Sequence, residues 1–526
     1  MKFSSLFAGA LLAGSAFAGA ITNGGPATDP SQLVAVPVTT ANSRGASQIQ
    51  PKLIVTQLLD KATNALSSTP LSKLPGMKRH RRAASHQQES QELEKRALPA
   101  LRWPYNDPNR KVRGVSLGGW LVVESFITPS VYASTGNPNI VDEWTFGSLQ
   151  PRDQAVRILQ SHLNSFVSED DFRQIAAAGL NHVRIPIGYW AFEVGPGEPF
   201  VKLNQWDLLK QAAQYAGKYG LKVLVDLHAA PGSQNGFDHG GRRGVNAWAG
   251  NATDVERTVK ILQTMSREFS KPQYANSVSA LELLNEPVTD KNVVLDFYNR
   301  AYEVVRYPNG RNAPESPILV VVSDEFVSPA YSTYWNDKLL PPQYEAVSID
   351  SHIYTIFDEK SLALSSKDRI AYYCSLKSKW AAANKIHYQL VGEWTPAFTD
   401  CAKGLNGRGT GSRYGGTFPG SKKQNDCALR TGDASTFTSN YKRLLGSMWE
   451  AQVDANEGGI GWLMWTWKTE AKAAEDWSYQ KGLQYGWIPR DPTKRPNGIR
   501  CSASYTSRST QSVASDRAIT AGYQSP

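Results

Sequence analysis

The sequence has little of what usually organises a metal or nucleotide site. It contains 8 His and 4 Cys in 526 residues, with no CxxC or His-rich spacing of the kind that binds zinc. No GxGxxG turn follows its first apolar run, which reads RGVSLGGW. This absence weakens the case for an open, doubly wound nucleotide-binding sheet. We therefore expect neither a metal nor a cofactor.

Long apolar runs are missing everywhere except at the N-terminus. Residues 1–18 read MKFSSLFAGALLAGSAFA, which has the composition of a secretory signal peptide and is too short for a membrane span. No later segment holds eighteen apolar residues in succession, and the tail at 502–526 is polar and rich in Ser and Thr, unlike a lipid-anchor signal. The sequence predicts an exported protein with no stable membrane anchor.

Residues 19–96 are poor in aromatics and end at the dibasic pair Lys95-Arg96. We interpret them as a propeptide, or else as a disordered leader, ahead of a catalytic domain at 97–501. Residues 1–96 hold 11 of the 57 Lys and Arg and 5 of the 47 Asp and Glu, so only +4 of the net charge of +10 belongs to the rest. The basic character lies largely in the leader, and we expect no nucleic-acid partner.

The four cysteines all lie beyond the leader, at Cys374, Cys401, Cys427 and Cys501. An even number in an exported chain favours disulfides over metal ligation or free thiols. Spacing alone does not decide the pairing, although a Cys401–Cys427 bond would close the Gly-rich loop between them and a Cys374–Cys501 bond would fasten the C-terminus. Asn251-Ala252-Thr253 forms a glycosylation sequon, which is consistent with export. We expect a monomer.

From Val112 onward, eight short apolar runs alternate with amphipathic segments. One such segment, NQWDLLKQAAQYAGKYG, places Leu209, Ala212, Ala213 and Ala216 on one helical face, with Gly220 at its end. Nearly continuous hydrophobic strands separated by helices are typical of a parallel sheet covered on both sides. The sequence therefore predicts the α/β class, as a single (β/α)8 TIM barrel with enlarged loops.

Polar and aromatic side chains stand at or near the ends of these apolar runs, namely Arg184, His228, Asn285, Glu286, Asp324, His352, Tyr354, Glu393 and Trp467. Two runs end in carboxylates, ALELLNEP at Glu286 and HYQLVGEWTP at Glu393. Active groups of a (β/α)8 barrel sit at the carboxyl ends of its strands, so these side chains are expected to converge on one pocket. Two facing carboxylates surrounded by polar and aromatic groups suit glycoside hydrolysis, which needs one protonated acid and one ionised carboxylate. The protonated acid requires a raised pKa.

The chain resembles glycoside hydrolase family 5, and more closely its secreted fungal exo-β-1,3-glucanases. The resemblance runs from about Arg113 to Cys501 and rests on six blocks in order: RGVSLGGWLVVESFITPS, GLNHVRIPIGYWAF, DLHAAPGSQNGFD, LLNEP, VGEWTPAFTDCAKGLNG and GWLMWTWKTE. It implies a retaining enzyme that releases glucose from the non-reducing ends of β-1,3-glucan through a covalent glucosyl intermediate. The partner is then a β-glucan polysaccharide or oligosaccharide, outside the cell or in the cell wall.

The resemblance also implies roles for individual residues. Glu286 would be the acid/base and Glu393 the nucleophile, with Arg184 keeping Glu393 ionised and aligned. Asn285 would bind the 2-hydroxyl of the sugar, and Glu124 would bind hydroxyls at the closed end of the pocket. The remaining implied sugar-binding residues are His228, His352, Tyr354, Trp467 as the floor under the sugar ring, and Phe237 with Phe357 as a clamp at the entrance. The implied disulfides are Cys374–Cys501 and Cys401–Cys427.

One residue departs from the family pattern and leaves alternatives open. After NGFD the family usually has Asn, whereas this chain has His239, near the leaving-group side of the pocket. A β-1,6-glucanase or a wall-remodelling transglucosylase would keep both glutamates and differ only in such outer positions. A carbohydrate-binding wall protein without turnover is a more distant alternative, because a lectin does not need the carboxylate pair.

Overall fold

The computed structural model describes residues 100–502, in which eight parallel strands close into a barrel. The predicted signal peptide at 1–18, the leader at 19–96 with its dibasic pair, and all but the first residue of the tail at 502–526 lie outside the described residues. The strands are β1 (Val112–Ser116), β2 (His182–Gly188), β3 (Lys222–Ala229), β4 (Val278–Glu282), β5 (Leu319–Ser323), β6 (Val347–Ile353), β7 (Tyr388–Trp394) and β8 (Gly461–Met464).

Each strand pairs with its neighbours in chain order, and β1 pairs with β8 to close the sheet. All eight pairings are parallel. The (β/α)8 prediction is therefore confirmed, and its cause is visible in burial: apart from residues near strand ends, the strands are buried on both faces, which requires the continuous hydrophobic runs seen in the sequence.

Helices cover the outside of the barrel. They are α1 (Pro129–Ala133), α2 (Glu143–Ser148), α3 (Arg152–Ser165), α4 (Glu169–Ala177), α5 (Gln205–Lys218), α6 (Ala252–Phe269), α7 (Lys291–Arg306), α8 (Glu359–Leu362), α9 (Ser366–Ala383), α10 (Ser439–Asn456) and α11 (Tyr479–Tyr485). The helix predicted from NQWDLLKQAAQYAGKYG is α5, and its four predicted face residues are all buried. In the part of the chain that the structure describes, no helix has the length and apolar character needed to cross a membrane.

Two disulfides fasten the C-terminal half of the barrel. Cys374 on α9 is bonded to Cys501, and Cys401 is bonded to Cys427 across the long loop after β7. This is the pairing that the resemblance implies. The second bond limits the freedom of a Gly-rich loop that lies at the carboxyl end of the barrel, where the polar strand ends also meet.

Candidate active site

Glu286 and Glu393 meet at the carboxyl end of the barrel. Glu393 is the sixth residue of β7, and Glu286 lies four residues beyond the end of β4. Glu286 has φ +43°. This left-handed backbone conformation is rare for residues with a side chain, and the residues that adopt it cluster at functional sites. Both side chains are nearly buried, and one carboxylate oxygen of each lies within 4.8 Å of the other.

Both oxygens of Glu393 accept hydrogen bonds. Arg184 Nη1 donates to Oε1 at 2.6 Å, and the Tyr354 hydroxyl donates to Oε2 at 2.9 Å. Gly392, just before Glu393, allows this placement, because a Cβ there would lie 1.9 Å from Oδ2 of Asp350. The Glu393 carboxylate is therefore fixed in one orientation, with a charge-assisted hydrogen bond to each of its two oxygens.

Arg184 organises several groups at once. Its Nε donates to Glu282 at 2.8 Å, and its Nη2 donates to Asn285 Oδ1 at 2.8 Å and lies 3.1 Å from Asp226 Oδ2. Sequence reasoning placed Arg184 near a strand end, but it is the third residue of β2 and is fully buried. Burial alone would lower its pKa, but the surrounding carboxylates raise the pKa well above its ordinary value.

Glu286 is paired with His352 of β6. His352 Nδ1 lies 2.6 Å from Glu286 Oε1 and 3.5 Å from Glu393 Oε2. Burial raises the pKa of Glu286, but the charge and hydrogen bond of His352, with smaller contributions from His239 and His228, outweigh it and lower the pKa to about 2. The two glutamates in turn outweigh burial at His352 and raise its pKa well above the ordinary value.

The sequence-based expectation of a raised pKa at Glu286 therefore does not describe this structure. The sequence shows an acid in a buried position, but it does not show that an imidazole from β6 lies against it. The lowered pKa of Glu286 and the raised pKa of His352 favour an ion pair between them.

A pocket of about 480 Å³ opens above the two glutamates. Most of the side chains predicted for the site line it: Glu124, His228, Glu286, Tyr354, Phe357 and Glu393, together with His239. Burial, followed by the charges of Asp238 and Glu393, raises the pKa of Glu124 well above its usual range. A carboxyl group in this state can donate as well as accept a hydrogen bond to a sugar hydroxyl.

Asn285 and His228 are held from behind by the neighbouring loop. Gln234 Nε2 donates to the backbone carbonyls of His228 and Asn285, both at 2.9 Å. His228 Nδ1 lies 2.7 Å from Asp226 Oδ2. Asn285 Nδ2 is buried and has no hydrogen-bond partner among the described residues, whereas its Oδ1 is bound by Arg184. Sequence reasoning missed Gln234, because its role depends on how the loop folds back.

The two aromatic residues predicted to clamp the sugar at the pocket entrance, Phe357 and Phe237, differ in their position relative to the pocket. Phe357 lines the pocket and packs edge to face with Tyr354, with ring centroids 5.4 Å apart. Phe237 packs beside His239 at 5.3 Å and is not among the residues that line the pocket. Within the described chain, Phe237 is thus next to the pocket wall rather than part of it.

The expectation for Trp467 is wrong, and Trp465 occupies the place predicted for it. Trp467 is buried away from the pocket, where its indole N–H donates to Asp171 at 2.9 Å and its ring stacks on Tyr479. Trp465, the first residue after β8, lines the pocket and lies nearly parallel to His228, at 15° and 5.6 Å. The chain turns after the strand, so the alternation of a strand does not extend to Trp467.

The rest of the lining comes from loops and was also missed. These residues are Phe126, Asp238, Leu405 and Trp477. Phe126 and Trp477 pack against each other with ring centroids 5.1 Å apart. Asp238 could have been suggested by the quoted block DLHAAPGSQNGFD, in which it is the last residue. The others belong to loops after β1, β7 and β8, which have no periodic pattern to place them.

Among residues 100–502, two groups of side chains have possible metal-ligand atoms within 4.8 Å of one another. One is Glu282, Asp350 and His352, and the other is Glu286, His352 and Glu393. Both share His352, whose raised pKa favours a positive charge, and Arg184 already binds Glu282 and Glu393. We interpret both groups as parts of one ion-pair network that orients the two central glutamates.

Comparison with known proteins places this geometry in a family. Residues 151–403 match the model of the family described as cellulase (glycosyl hydrolase family 5). The chain is 40% identical over 411 residues to a glucan 1,3-beta-glucosidase of Pichia angusta, which covers 75% of this chain and 90% of the relative. It is 42% identical over 392 residues to a probable glucan 1,3-beta-glucosidase A of Aspergillus niger, covering 74% and 90%.

A solved structure shares the architecture. The crystal structure of rutinosidase from Aspergillus niger superposes with a TM-score of 0.55 at 20% identity, over 72% of this chain and 98% of that chain. At this level of identity the match supports the barrel fold alone.

Proposed function

The chain belongs to glycosyl hydrolase family 5, and from this premise we propose that it is a retaining glycosidase that releases glucose from the non-reducing ends of β-1,3-glucan. The observation that carries the proposal is the approach of Glu286 and Glu393, whose nearest oxygens lie within 4.8 Å. Retaining enzymes place their two carboxyl groups about 5 Å apart, whereas inverting enzymes leave roughly 6.5–9.5 Å for a water molecule.

In the first step Glu393 attacks the anomeric carbon. Arg184 and Tyr354 hold its two oxygens, so the nucleophile is aligned before the sugar arrives and loses little freedom on reaction. A bond forms between Glu393 and the sugar, the bond to the leaving oxygen breaks, and Glu286 gives that oxygen a proton. The result is a covalent glucosyl-enzyme.

The proton that Glu286 needs is supplied by the pair with His352. The lowered pKa of Glu286 and the raised pKa of His352 favour the charged pair, with the proton on the imidazole. A sugar that covers the pocket excludes water, and an ion pair then loses more solvation than a neutral pair of the same atoms. Substrate binding therefore favours the neutral state of the pair, in which His352 is neutral and Glu286 carries a proton on Oε2, so the acid is prepared only when substrate is bound.

In the second step Glu286 reverses its role. The ionised carboxylate accepts a proton from a water molecule as that water attacks the anomeric carbon, and the bond to Glu393 breaks. Two displacements on the same carbon return the original anomer, so the first product is β-glucose.

Three loops at the mouth support an exo mode of action. Ser125, beside Glu124, donates to the backbone of Gly404 in the loop after β7. Arg243 donates to the carbonyl of Arg408 and to Thr410. The loops after β1, β3 and β7 are thus tied together on one side of the pocket. A chain end fits such a pocket, whereas an internal segment of a glucan requires a groove open at both ends.

The preference for β-1,3 over β-1,6 linkages is inferred from the related proteins rather than from the barrel fold. The relatives described above are named glucan 1,3-beta-glucosidases, and this chain shares about two residues in five with them over most of its length. This likeness favours β-1,3-glucan over β-1,6-glucan and favours hydrolysis over a binding role without turnover.

We extend the proposal to the protein's processing and location. Residues 1–18 would direct export, cleavage after Arg96 would release the catalytic domain, and the product would act as a monomer outside the cell or in its wall. The two disulfides support an oxidising compartment. N-terminal sequencing of the secreted protein and its elution volume on size exclusion test these points.

The test of the function is product analysis. Laminarin, a β-1,3-glucan, should release glucose as the only early product, and proton NMR of the first minutes should show the β anomer. Pustulan, a β-1,6-glucan, should release glucose much more slowly. Release of oligosaccharides, the α anomer first, or faster release from pustulan would contradict the proposal, and no release from either glucan would favour a binding protein.

A further inference from the structure

The two oxygens of Glu286 have different surroundings. Oε1 is bound by His352, so Oε2 is the oxygen that faces the reacting groups. His239 Nε2 lies 3.5 Å from Oε2. That distance is long for a direct hydrogen bond, but a single oxygen atom can lie about 2.8 Å from both atoms at once.

His239 is held in place by its own turn. It belongs to the short 3-10 turn Asp238–Gly240 after β3, and its side chain is 18% exposed. The ring packs between Phe237, at 5.3 Å, and His228, at 5.1 Å. At Gly240 a Cβ would lie 2.6 Å from Asn235 Oδ1, so the turn packs closely on the loop beneath it.

The surroundings of His239 suit a neutral ring whose Nε2 is a hydrogen-bond donor. Burial is the largest effect and lowers its pKa, although Glu286 and Asp238 act in the opposite direction. The ring is therefore neutral near neutral pH, with one nitrogen that donates and one that accepts. Nδ1 is buried with no hydrogen-bond partner among the described residues, whereas Nε2 faces the carboxylate oxygen Oε2 of Glu286, so the hydrogen lies on Nε2.

We propose that His239 is a positioning residue whose Nε2 holds the oxygen that exchanges a proton with Glu286 Oε2. The inference rests on the proposed function. In the first step that oxygen belongs to the leaving group. In the second step it belongs to the attacking water, which gives one hydrogen to Glu286 Oε2, accepts a hydrogen bond from His239 Nε2 with one lone pair and attacks the anomeric carbon with the other.

The second step balances with no further reactant. The water oxygen forms a bond to the anomeric carbon, the bond to Glu393 breaks with its electron pair, and one water proton moves to Glu286. His239 neither gains nor loses a proton.

The inference is tested by separating the two steps with 2,4-dinitrophenyl β-glucoside. Dinitrophenolate leaves without a proton, so kcat/KM reports the first step without acid assistance and kcat reports attack by water. For His239→Ala we expect kcat to fall about 10-fold, less than the roughly 100-fold or more for losing a general acid or base. We expect kcat/KM to change by less than about 2-fold. On laminaribiose, whose leaving group needs the proton, kcat/KM should also fall about 10-fold.

Two further variants complete the test. His239→Gln, whose amide N–H can donate to the same oxygen, should recover part of the lost kcat. His387→Asn is the matched control: His387 lies just before β7, at the opposite end of that strand from Glu393, and its Nε2 is bound to the carbonyl of Lys338. It should match wild type on both substrates.

The outcomes separate failure of this inference from failure of the proposed function. An unchanged kcat in His239→Ala, or equal losses in kcat and kcat/KM on the dinitrophenyl substrate, would overturn the role of His239 while wild type still hydrolyses laminarin. If wild type releases no glucose from laminarin, the proposed function itself fails. If His239→Ala does not fold, as judged by its melting temperature, His239→Asn decides by the same comparison.

Discussion

Nδ1 of His352 lies 2.6 Å from Oε1 of Glu286 and 3.5 Å from Oε2 of Glu393. One imidazole therefore bridges the two carboxylates of the site from a third strand. Two glutamates this close would repel each other if both were ionised with nothing between them. The raised pKa of His352 favours a positive charge between the two carboxylates, which removes much of that repulsion.

The first prediction concerns the nucleophile. Glu393→Gln should reduce glucose release from laminarin by at least about 1,000-fold, because an amide cannot form the glucosyl ester although it keeps the shape of the side chain. The melting temperature should stay within a few degrees of wild type, since the Gln oxygen can still accept from Arg184 and its NH2 can donate to the Tyr354 hydroxyl. Wild-type turnover in this variant would remove Glu393 from the mechanism.

The second prediction concerns the acid. In Glu286→Gln, laminaribiose hydrolysis should fall by about 100-fold or more, because its leaving oxygen needs a proton. The kcat/KM on 2,4-dinitrophenyl β-glucoside should fall far less, because dinitrophenolate departs unprotonated. Steady-state kinetics on both substrates measure this difference. Equal losses on the two substrates would show that Glu286 has a structural role only.

The third prediction concerns the group beneath the nucleophile. Arg184→Lys keeps the charge but replaces a fork that binds Glu282, Asn285 and Glu393 with a single ammonium. We expect kcat to fall by about 100-fold with little change in KM, since the nucleophile is misplaced rather than the sugar. The melting temperature should also fall, because a buried carboxylate loses its partner. An unchanged kcat would contradict the positioning role.

The barrel and its two central glutamates could be predicted from the sequence because both depend on local patterns of apolar residues. Each strand is buried on two faces, so it appears as an apolar run, and each run shows where it ends. Glu286 and Glu393 follow such runs, and the barrel topology then brings their side chains together. Arg184 was expected near a strand end yet lies within β2, because a long side chain reaches the site from below.

Features that depend on contacts between distant segments could not be predicted from the sequence. The direction of the pKa shift at Glu286 is set by His352 from another strand, which no spacing reveals. Gln234, Phe126, Leu405 and Trp477 lie on loops, where burial and direction follow from how the loops pack on one another. Trp467 was assigned from the resemblance, but the chain turns after Met464, where β8 ends, and Trp465 lines the pocket instead.

The fourth prediction concerns stability in acid. His182 on β2 is buried against Trp103, and burial lowers its pKa to about 3. The unfolded chain takes up this proton below pH 6.5 while the folded chain does not, so this residue makes stability fall as the pH falls from 6.5 towards 3. At pH 4.5 the loss is about 2 to 3 kcal/mol.

His182→Phe keeps an aromatic ring but has no group that takes up a proton. Its melting temperature should therefore fall less than that of wild type when the pH is lowered from 7 to 4.5. Thermal unfolding at both pH values measures the difference. His182 lies at the opposite end of the barrel strands from the pocket, so kcat on laminarin at pH 7 serves as the internal control. An equal drop in melting temperature for both proteins would show that His182 does not titrate on unfolding.

The fifth prediction separates the two tryptophans after β8. Trp465→Ala removes a face of the pocket and should lower kcat/KM on laminaribiose by about 30-fold, the equivalent of roughly 2 kcal/mol for one buried aromatic contact. Trp467→Phe should leave kcat/KM unchanged but lower the melting temperature, because Asp171 loses a hydrogen bond worth about 1 kcal/mol. Steady-state kinetics and thermal unfolding of both variants give the comparison. If instead Trp467→Phe impaired substrate binding and Trp465→Ala did not, the sugar would lie on the other ring, and the pocket described here would not be where glucose binds.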